Sequence, residues 1–274
     1  MKQAIKYKKK ENTVSISIIM PAFNVAEYVN LAVESVINQT YKDWELIICD
    51  DNSSDETLAV IKKISAFDNR IIAITNSFDK GAPGARNSAI ELAAGKYIAF
   101  LDADDFWLPE KLQKQIECLE ETNAAMVHSD YYLMTEAGER SDVAINTPNL
   151  ITRRKMMFAN FLPCLTVIYD SDKLGKYYQP NIERRNDYAL WLEMFSKRKD
   201  LTSVRCNGVL AAYRVNSYGL SSNSFLSLRF HWLALVNFGR YNQLIAIVFS
   251  LIFLLIVLTK KKFLNIYNVL VRKI

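Results

Sequence analysis

Hydrophobic and polar positions alternate in blocks along the first hundred residues. Val14 to Met20 (VSISIIM) is an apolar run of strand length. After it, Tyr28, Leu31, Ala32, Ser35 and Val36 recur at the spacing of one helix face. WELIIC at 44–49 reads as a second strand, and SSDETLAVIKKIS at 53–65 opens like a helix capped by Ser54 or Asp55. RIIAIT at 70–75 is a third strand, RNSAIELAAGK at 86–96 a helix closed by Gly95, and YIAFL at 97–101 a fourth strand. This alternation predicts an α/β fold: a mainly parallel, doubly wound sheet with helices on both faces. Such sheets bind ligands at the carboxyl ends of their strands. The polar clusters PAFN (21–24), DDNSSD (50–55) and DADD (102–105) fall at those ends.

The second half is less regular. LPEKLQKQIECLEE at 108–121 reads as a helix with Pro109 in its first turn, and NDYALWLEMF at 186–195 as a helix opening at Asn186 or Asp187. Apolar stretches at 124–134, 165–169 and 203–213 suit further strands. The tail then changes character, because Leu244 to Leu258 is apolar apart from Ser250. As a helix those residues rise about 22 Å, against about 30 Å for a bilayer core, so a crossing needs flanking residues and thinning. A single crossing would also put Lys260–Lys262 opposite a cytoplasmic body, against the positive-inside tendency. A re-entrant or interfacial helix, paired with the amphipathic 225–238 segment, is the favoured expectation; a buried helix or a dimer contact is the alternative. The chain thus divides into a basic arm (1–13), a catalytic domain (14–220) and a C-terminal helical, membrane-associating segment (221–274).

Charge sharpens this division. The net charge is +5, yet Lys2, Lys6, Lys8, Lys9 and Lys10 lie at one end and Lys260, Lys261, Lys262, Arg272 and Lys273 at the other. Without those ten, the 34 basic residues fall to 24 against 29 acidic ones. A negative body with basic ends argues against nucleic acid as a partner and suits the anionic inner leaflet of a membrane. Cys49, Cys118, Cys164 and Cys206 form no CxxC pair, and only His128 and His231 accompany them, which argues against a zinc site.

Several polar clusters carry chemistry. Asp102 and Asp104, two apart on a chain leaving a strand, can converge on Mn²⁺ or Mg²⁺, which takes one or two protein carboxylates and completes its shell with phosphate oxygens. Taken alone, the motif reads better as a solvated loop that caps the 108–121 helix. Asp51 can accept a hydrogen bond from a nucleobase, while the cluster also reads as a cap in which Ser54 or Asp55 opens the following helix; both can hold, with Asp51 facing the base and Ser54 capping. Phe23 can stack on a base, or lie in the core. Arg86, behind the small residues of GAPGAR, can meet a phosphate, or pair with a structural acid. Asp187 can accept a hydroxyl proton, or cap its helix.

In order and spacing, PAFN, DDNSSDET, GAPGARNSAIELAAGKYIAFLDADD and NDYALWLEM resemble the family 2 glycosyltransferases with the GT-A fold, over roughly residues 14–215. The segment from Gly81 to Asp105 is the most specific part. It looks most like the bacterial enzymes that build capsule, teichuronic acid and O-antigen chains. The resemblance implies that Phe23 packs on the donor's nucleobase, Asp51 contacts the base, and Arg86 contacts the donor phosphates. Asp102 and Asp104 would hold ribose and metal, Asp104 more directly. Asp187 matches the catalytic base of the family's Glu-Asp pair; the first member here is Asn186, a departure, so no catalytic role is assigned to it. No QxxRW-like motif is present, which favours transfer of a single sugar over processive synthesis. The implied reaction is inverting transfer from a nucleotide-diphosphate sugar, with UDP preferred, to a lipid-linked saccharide at the cytoplasmic face of the cell membrane. The competing readings are a sugar nucleotidyltransferase, which lacks its Gly-rich basic loop after strand one, and a non-catalytic nucleotide-sugar-binding subunit. A dehydrogenase is disfavoured because no GxGxxG follows a strand.

Overall fold

The computed structural model describes residues 14–215 and 224–262. The expected arm at 1–13, the expected boundary at 220 and the basic residues Arg272 and Lys273 lie outside the described residues.

Ten strands form one sheet. The first part runs β1 (Ile16–Ala22), α1 (Val29–Ile37), β2 (Trp44–Asp50), α2 (Thr57–Phe67), β3 (Ile71–Thr75), α3 (Ala82–Leu92), β4 (Tyr97–Phe100), β5 (Phe106–Trp107) and α4 (Lys111–Thr122). The second part runs β6 (Met126–Met134), β7 (Arg140–Ile145), β8 (Leu150–Thr152), β9 (Ile168–Asp170), α5 (Ser171–Leu174), α6 (Asn186–Lys197), β10 (Thr202–Arg214), α7 (Ser224–Asn237) and α8 (Gln243–Lys262). The spatial order is β3-β2-β1-β4-β9-β6-β10-β5, with β7 on β6 and β8 on β10. Ile18 and Ile19 point to opposite faces of β1 and neither is exposed, so both faces of the sheet are covered. α3 packs on β1 and β2, and α2 against β3.

The sheet is mixed rather than mainly parallel. β1, β2, β3 and β4 are parallel, as the sequence pattern predicts, but β9 runs antiparallel to both β4 and β6, and β5 antiparallel to β10. A parallel strand needs a crossover back to the far edge of the sheet. Between β8 and β9 the chain has only two short 3₁₀ turns, Lys155–Met157 and Cys164–Thr166, and no crossover helix. It therefore enters β9 from the carboxyl end of β4 and brings Pro163, Cys164 and Leu165 to that edge.

Local expectations also need correction. Ser54 and Asp55 do not cap α2, which begins at Thr57 with Glu56 before it; Asp55 instead accepts hydrogen bonds from the backbone N–H groups of Ala26 (3.2 Å) and Thr57 (3.0 Å). Pro109 precedes α4, which starts at Lys111. α3 begins at Ala82, earlier than expected, and ends at Leu92, so Gly95 does not close it. Gly95 is needed for a different reason: a Cβ there would lie 2.6 Å from the backbone nitrogen of Ser17 in β1.

The C-terminal helices pair with each other and α7 packs on α6. The His231 ring of α7 lies between Tyr188 of α6 and Phe253 of α8, with centroids 5.2 and 4.4 Å away. Its nitrogens meet Ser250 Oγ (3.1 Å) and Tyr188 Oη (3.1 Å), and burial holds its pKa well below the ordinary histidine value. A crossing by residues 244–258 is not supported, since no helix among the described residues is long and apolar enough to span a membrane.

Candidate active site

The register of the parallel strands gathers the expected site residues along one edge. Ala22 pairs with Asp50, and Ile19 with Phe100, so the segments that follow β1, β2 and β4 leave the sheet side by side. Phe23 is 47% exposed there, with Lys80 Nζ 5.4 Å from its ring centroid, so it is not a core aromatic. Asp51 is buried: Oδ1 accepts from Asn76 Nδ2 (2.6 Å) and Oδ2 from the Gly81 N–H (2.7 Å). Asn76 Nδ2 also donates to the Asp79 carbonyl (2.9 Å). Asp51 thus ties the 76–81 loop to the sheet and fixes where α3 starts. The fit is close, because a Cβ on Gly84 would lie 1.8 Å from the Asp79 carbonyl oxygen.

α3 aims Arg86 into a pocket of about 580 Å³ that Asp102, Asp104, Asp105, Arg185, Asn186 and Asp187 also line. That volume suits a small-molecule ligand. The structure therefore brings together Arg86, Asp102, Asp104 and Asp187, while Phe23 and Asp51 lie outside this pocket's lining. Arg86 is buried and donates through Nη2 to Asp102 Oδ1, and through Nη1 to Gln179 Oε1 (3.0 Å) and Asn186 Oδ1 (3.3 Å). Burial is the largest influence and works against its charge, but Asp102, Cys164 and Asp187 together outweigh it and raise its pKa. The acid that Arg86 pairs with is thus itself an expected site residue.

Two carboxyls in the pocket are electrostatically unusual. Asp105 is held well above the usual carboxylate range, first by burial and then by the neighbouring Asp104 and Asp102. The Arg214 N–H donates to it (2.8 Å), and Arg214 Nε donates to the Asp104 carbonyl (2.8 Å). Asp187 stands in the first turn of α6, whose N-cap is Arg185, so it is not the cap. Its pKa is raised by burial, against the Tyr188 N–H (2.7 Å), Arg86, Arg185 and Asn160 Nδ2 (2.7 Å), which all favour the ionised form.

No group of three or more metal-ligating side chains occurs among the described residues. A cation that completes its shell with substrate phosphates needs only one or two carboxylates, and Asp104 and Asp102 supply these. Burial is the main cause of the raised Asp105, and the repulsion that Asp104 and Asp102 add to it is what a bound cation would relieve, so the residues present fit such an ion.

The sequence model of the family described as Glycosyl transferase family 2 matches residues 17–173. The chain belongs to this family. It is a glycosyltransferase, and its relatives include bacterial glycosyltransferases. It is 35% identical to the UDP-Glc:alpha-D-GlcNAc-diphosphoundecaprenol beta-1,3-glucosyltransferase WfgD of Escherichia coli, covering 90% of this chain and 95% of that one. It is 36% identical to the putative teichuronic acid biosynthesis glycosyltransferase TuaG of Bacillus subtilis, over 79% of this chain and 85% of that one. Among solved structures, S. aureus TarS 1–349 superposes with a TM-score of 0.64 at 17% identity, covering 90% of this chain and 73% of that one, which shows a shared fold.

Sequence reasoning missed several residues that shape this transferase's pocket. Asp105 was in plain view within DADD, but its burial depends on β10. Gln179 and Arg214 carry no local signal, since each reaches the site from a distant part of the chain. Asn186, set aside as a non-catalytic departure, holds Arg86.

Proposed function

We propose that this glycosyltransferase moves one sugar from a UDP-sugar to a hydroxyl of a lipid-linked saccharide, with inversion, during the assembly of a cell-surface polysaccharide. The observation that carries this reading is the joining of Asp187 to Arg86, Asp102 and Asp104 in one pocket. The substrate classes are supported by the activity for which WfgD is named, since that enzyme matches this chain nearly end to end.

Asp187 is the base. It accepts the acceptor's hydroxyl proton as that oxygen bonds to the anomeric carbon and the bond to the diphosphate breaks. One displacement inverts the anomeric centre. Its raised pKa makes it a better proton acceptor once ionised than an ordinary aspartate. Asp104, with Asp102, would hold Mn²⁺ or Mg²⁺, whose charge offsets that of the departing diphosphate. Arg86 orients Asp102 and adds positive charge on the same side. Phe23 offers its exposed ring to the nucleobase, and Asp51, besides bracing the 76–81 loop, lies at the same edge for the base.

Residues 14–220 act as the catalytic unit in this reading, and 221–274 bring it to the cytoplasmic face of the membrane. Leu244, Val248, Leu251, Leu255 and Leu258 form an exposed apolar stripe along α8, while Ala246 and Phe253 face the core. Such a stripe, followed by Lys260–Lys262, suits shallow insertion into an anionic leaflet. Flotation with anionic vesicles, lost in a Leu251→Asp, Leu255→Asp variant, tests this part.

The deciding experiment offers a panel of nucleotide sugars with lipid-linked saccharides, with and without Mn²⁺ or Mg²⁺. Metal-dependent transfer from one UDP-sugar is expected. Asp187→Asn should reduce kcat by about 10²- to 10⁴-fold, the range of general base catalysis. Asp104→Ala should remove the response to metal. Full activity in Asp187→Asn would refute this mechanism, and binding of UDP-sugars without any turnover would favour a non-catalytic subunit.

A further inference from the structure

Arg185 lies directly before α6 with φ 61°, a left-handed conformation that costs a residue with a Cβ about 1–2 kcal/mol. Its side chain lines the pocket, and its Cζ lies 4.4 Å from the centroid of Phe253 on α8. The other pocket guanidiniums are engaged by the protein. Arg86 holds Asp102, Gln179 and Asn186, Arg214 donates to the carbonyls of Asp104, Thr135 and Glu136, and Arg184 lies 3.9 Å from Glu183. The Arg185 guanidinium makes no hydrogen bond or ion pair with any described residue. Five N–H donors on a flat cation, partly shielded from water and stacked on an aromatic ring, are an incomplete anion site. The fold tolerates a strained backbone to place them there.

Position indicates which anion. Asp187 interacts electrostatically with Arg86, whose guanidinium is tied to Asp102, and with Arg185, whose guanidinium lies over Phe253. Arg86 belongs to the Asp102 side, where the donor's diphosphate leaves. Arg185 belongs to the α8 side, with its guanidinium over Phe253 on the core-facing side of that helix. A lipid-linked saccharide with its hydroxyl at Asp187 would carry its own diphosphate on this second side.

We propose that Arg185 determines acceptor specificity by binding the diphosphate that joins saccharide to lipid, thereby holding the reacting hydroxyl at Asp187. This rests on the lipid-linked acceptor reading above. It assigns the two diphosphates of the reaction to different arginines.

The test compares two acceptors bearing the same saccharide, one as a lipid diphosphate and one as a neutral alkyl glycoside, with wild type, Arg185→Gln and Arg185→Lys. All three side chains carry a Cβ, so the backbone strain is the same in each, and melting curves check folding. Arg185→Gln should raise the KM for the diphosphate acceptor about 10- to 100-fold, as expected for losing a charge-assisted contact. The KM for UDP-sugar and the KM for the alkyl glycoside, measured above the acidic limb of the pH profile where Asp187 is ionised in every variant, should stay near wild type, and Arg185→Lys should recover part of the loss. An equal loss with both acceptors would show a structural role, and a raised KM for UDP-sugar would place Arg185 on the donor; either overturns the assignment. Failure of the wild type with every lipid-linked saccharide would instead sink the acceptor reading, and this assignment with it.

Discussion

The two halves of the sheet contribute to the site in different ways. In the parallel half, β1, β2 and β4 deliver Phe23, Asp51 and Asp102 directly, each within two residues of a strand end. In the mixed half, segments between elements (Gln179, Arg185 and the Pro163–Leu165 turn) join side chains from the start of α6 (Asn186, Asp187) and the end of β10 (Arg214). The first half is a rigid edge whose geometry follows from strand register. The second is a wall whose geometry depends on contacts made across the pocket. Under the proposed function, the regular half would serve the nucleotide-sugar donor and the irregular half the acceptor.

The sharpest way to break the rigid half is at Gly84. A methyl group there would overlap the Asp79 carbonyl, which Asn76 and Asp51 hold in place. Gly84→Ala should destabilise the protein by about 1–3 kcal/mol or more, because the start of α3 must move. It should also cut activity, since Arg86 rides on that helix. Gly175 is the control, with φ 84° and nothing within 4 Å of where a methyl would sit, so Gly175→Ala should cost only about 1–2 kcal/mol of backbone strain and leave kcat intact. Equal melting temperatures for Gly84→Ala and wild type would contradict the close packing of α3 on the 76–81 loop.

A smaller effect is expected where the irregular half supports the regular one. Asn186 accepts a hydrogen bond from Arg86, whose other Nη holds Asp102. Asn186→Ala leaves Gln179 to hold that nitrogen alone, so Asp102 should be less well oriented. A loss of about tenfold in kcat, corresponding to one hydrogen bond of about 1.4 kcal/mol, is expected with little change in melting temperature. If kcat does not change, Arg86 is positioned by Gln179 and Asp102 without help from α6.

The same contrast explains what could be read from the sequence. The order β-α-β-α over residues 14–101 was legible because apolar runs of strand length and helical periodicity are local signals. The clusters at strand ends were legible because parallel topology sends ligands there. The antiparallel entry of β9 was not legible, because it depends on the absence of a crossover, which no residue encodes. Arg86 could be singled out, yet its bond to Asp102 could not be foreseen, since it spans two elements. The burial of Asp105 is likewise a property of Arg214 and β10, far along the chain. Helix ends misled for a related reason: Gly95 has the right residue type for a cap, but its smallness serves contact with β1.

The finest probe of the irregular wall is the hydrogen bond from Asn160 to Asp187. Burial is the largest influence on this carboxyl and favours its neutral form, while Asn160 Nδ2, bonded to Oδ2 at 2.7 Å, favours the charged form. A base must be ionised to accept a proton, so kcat should fall as the pH drops through the pKa of Asp187 in the substrate complex. That acidic limb should lie above the range of an ordinary aspartate, since the shift is upward. Removing the Asn160 donor takes away stabilisation of the anion only, which moves the pKa further up. Asn160→Ala should therefore shift the acidic limb to higher pH. The plateau at high pH should be reduced less than the rate near neutrality, because there Asp187 is ionised in both proteins. A limb that shifts downward would mean that Asn160 favours the neutral acid, and a limb that does not move would mean that a group other than Asp187 sets it.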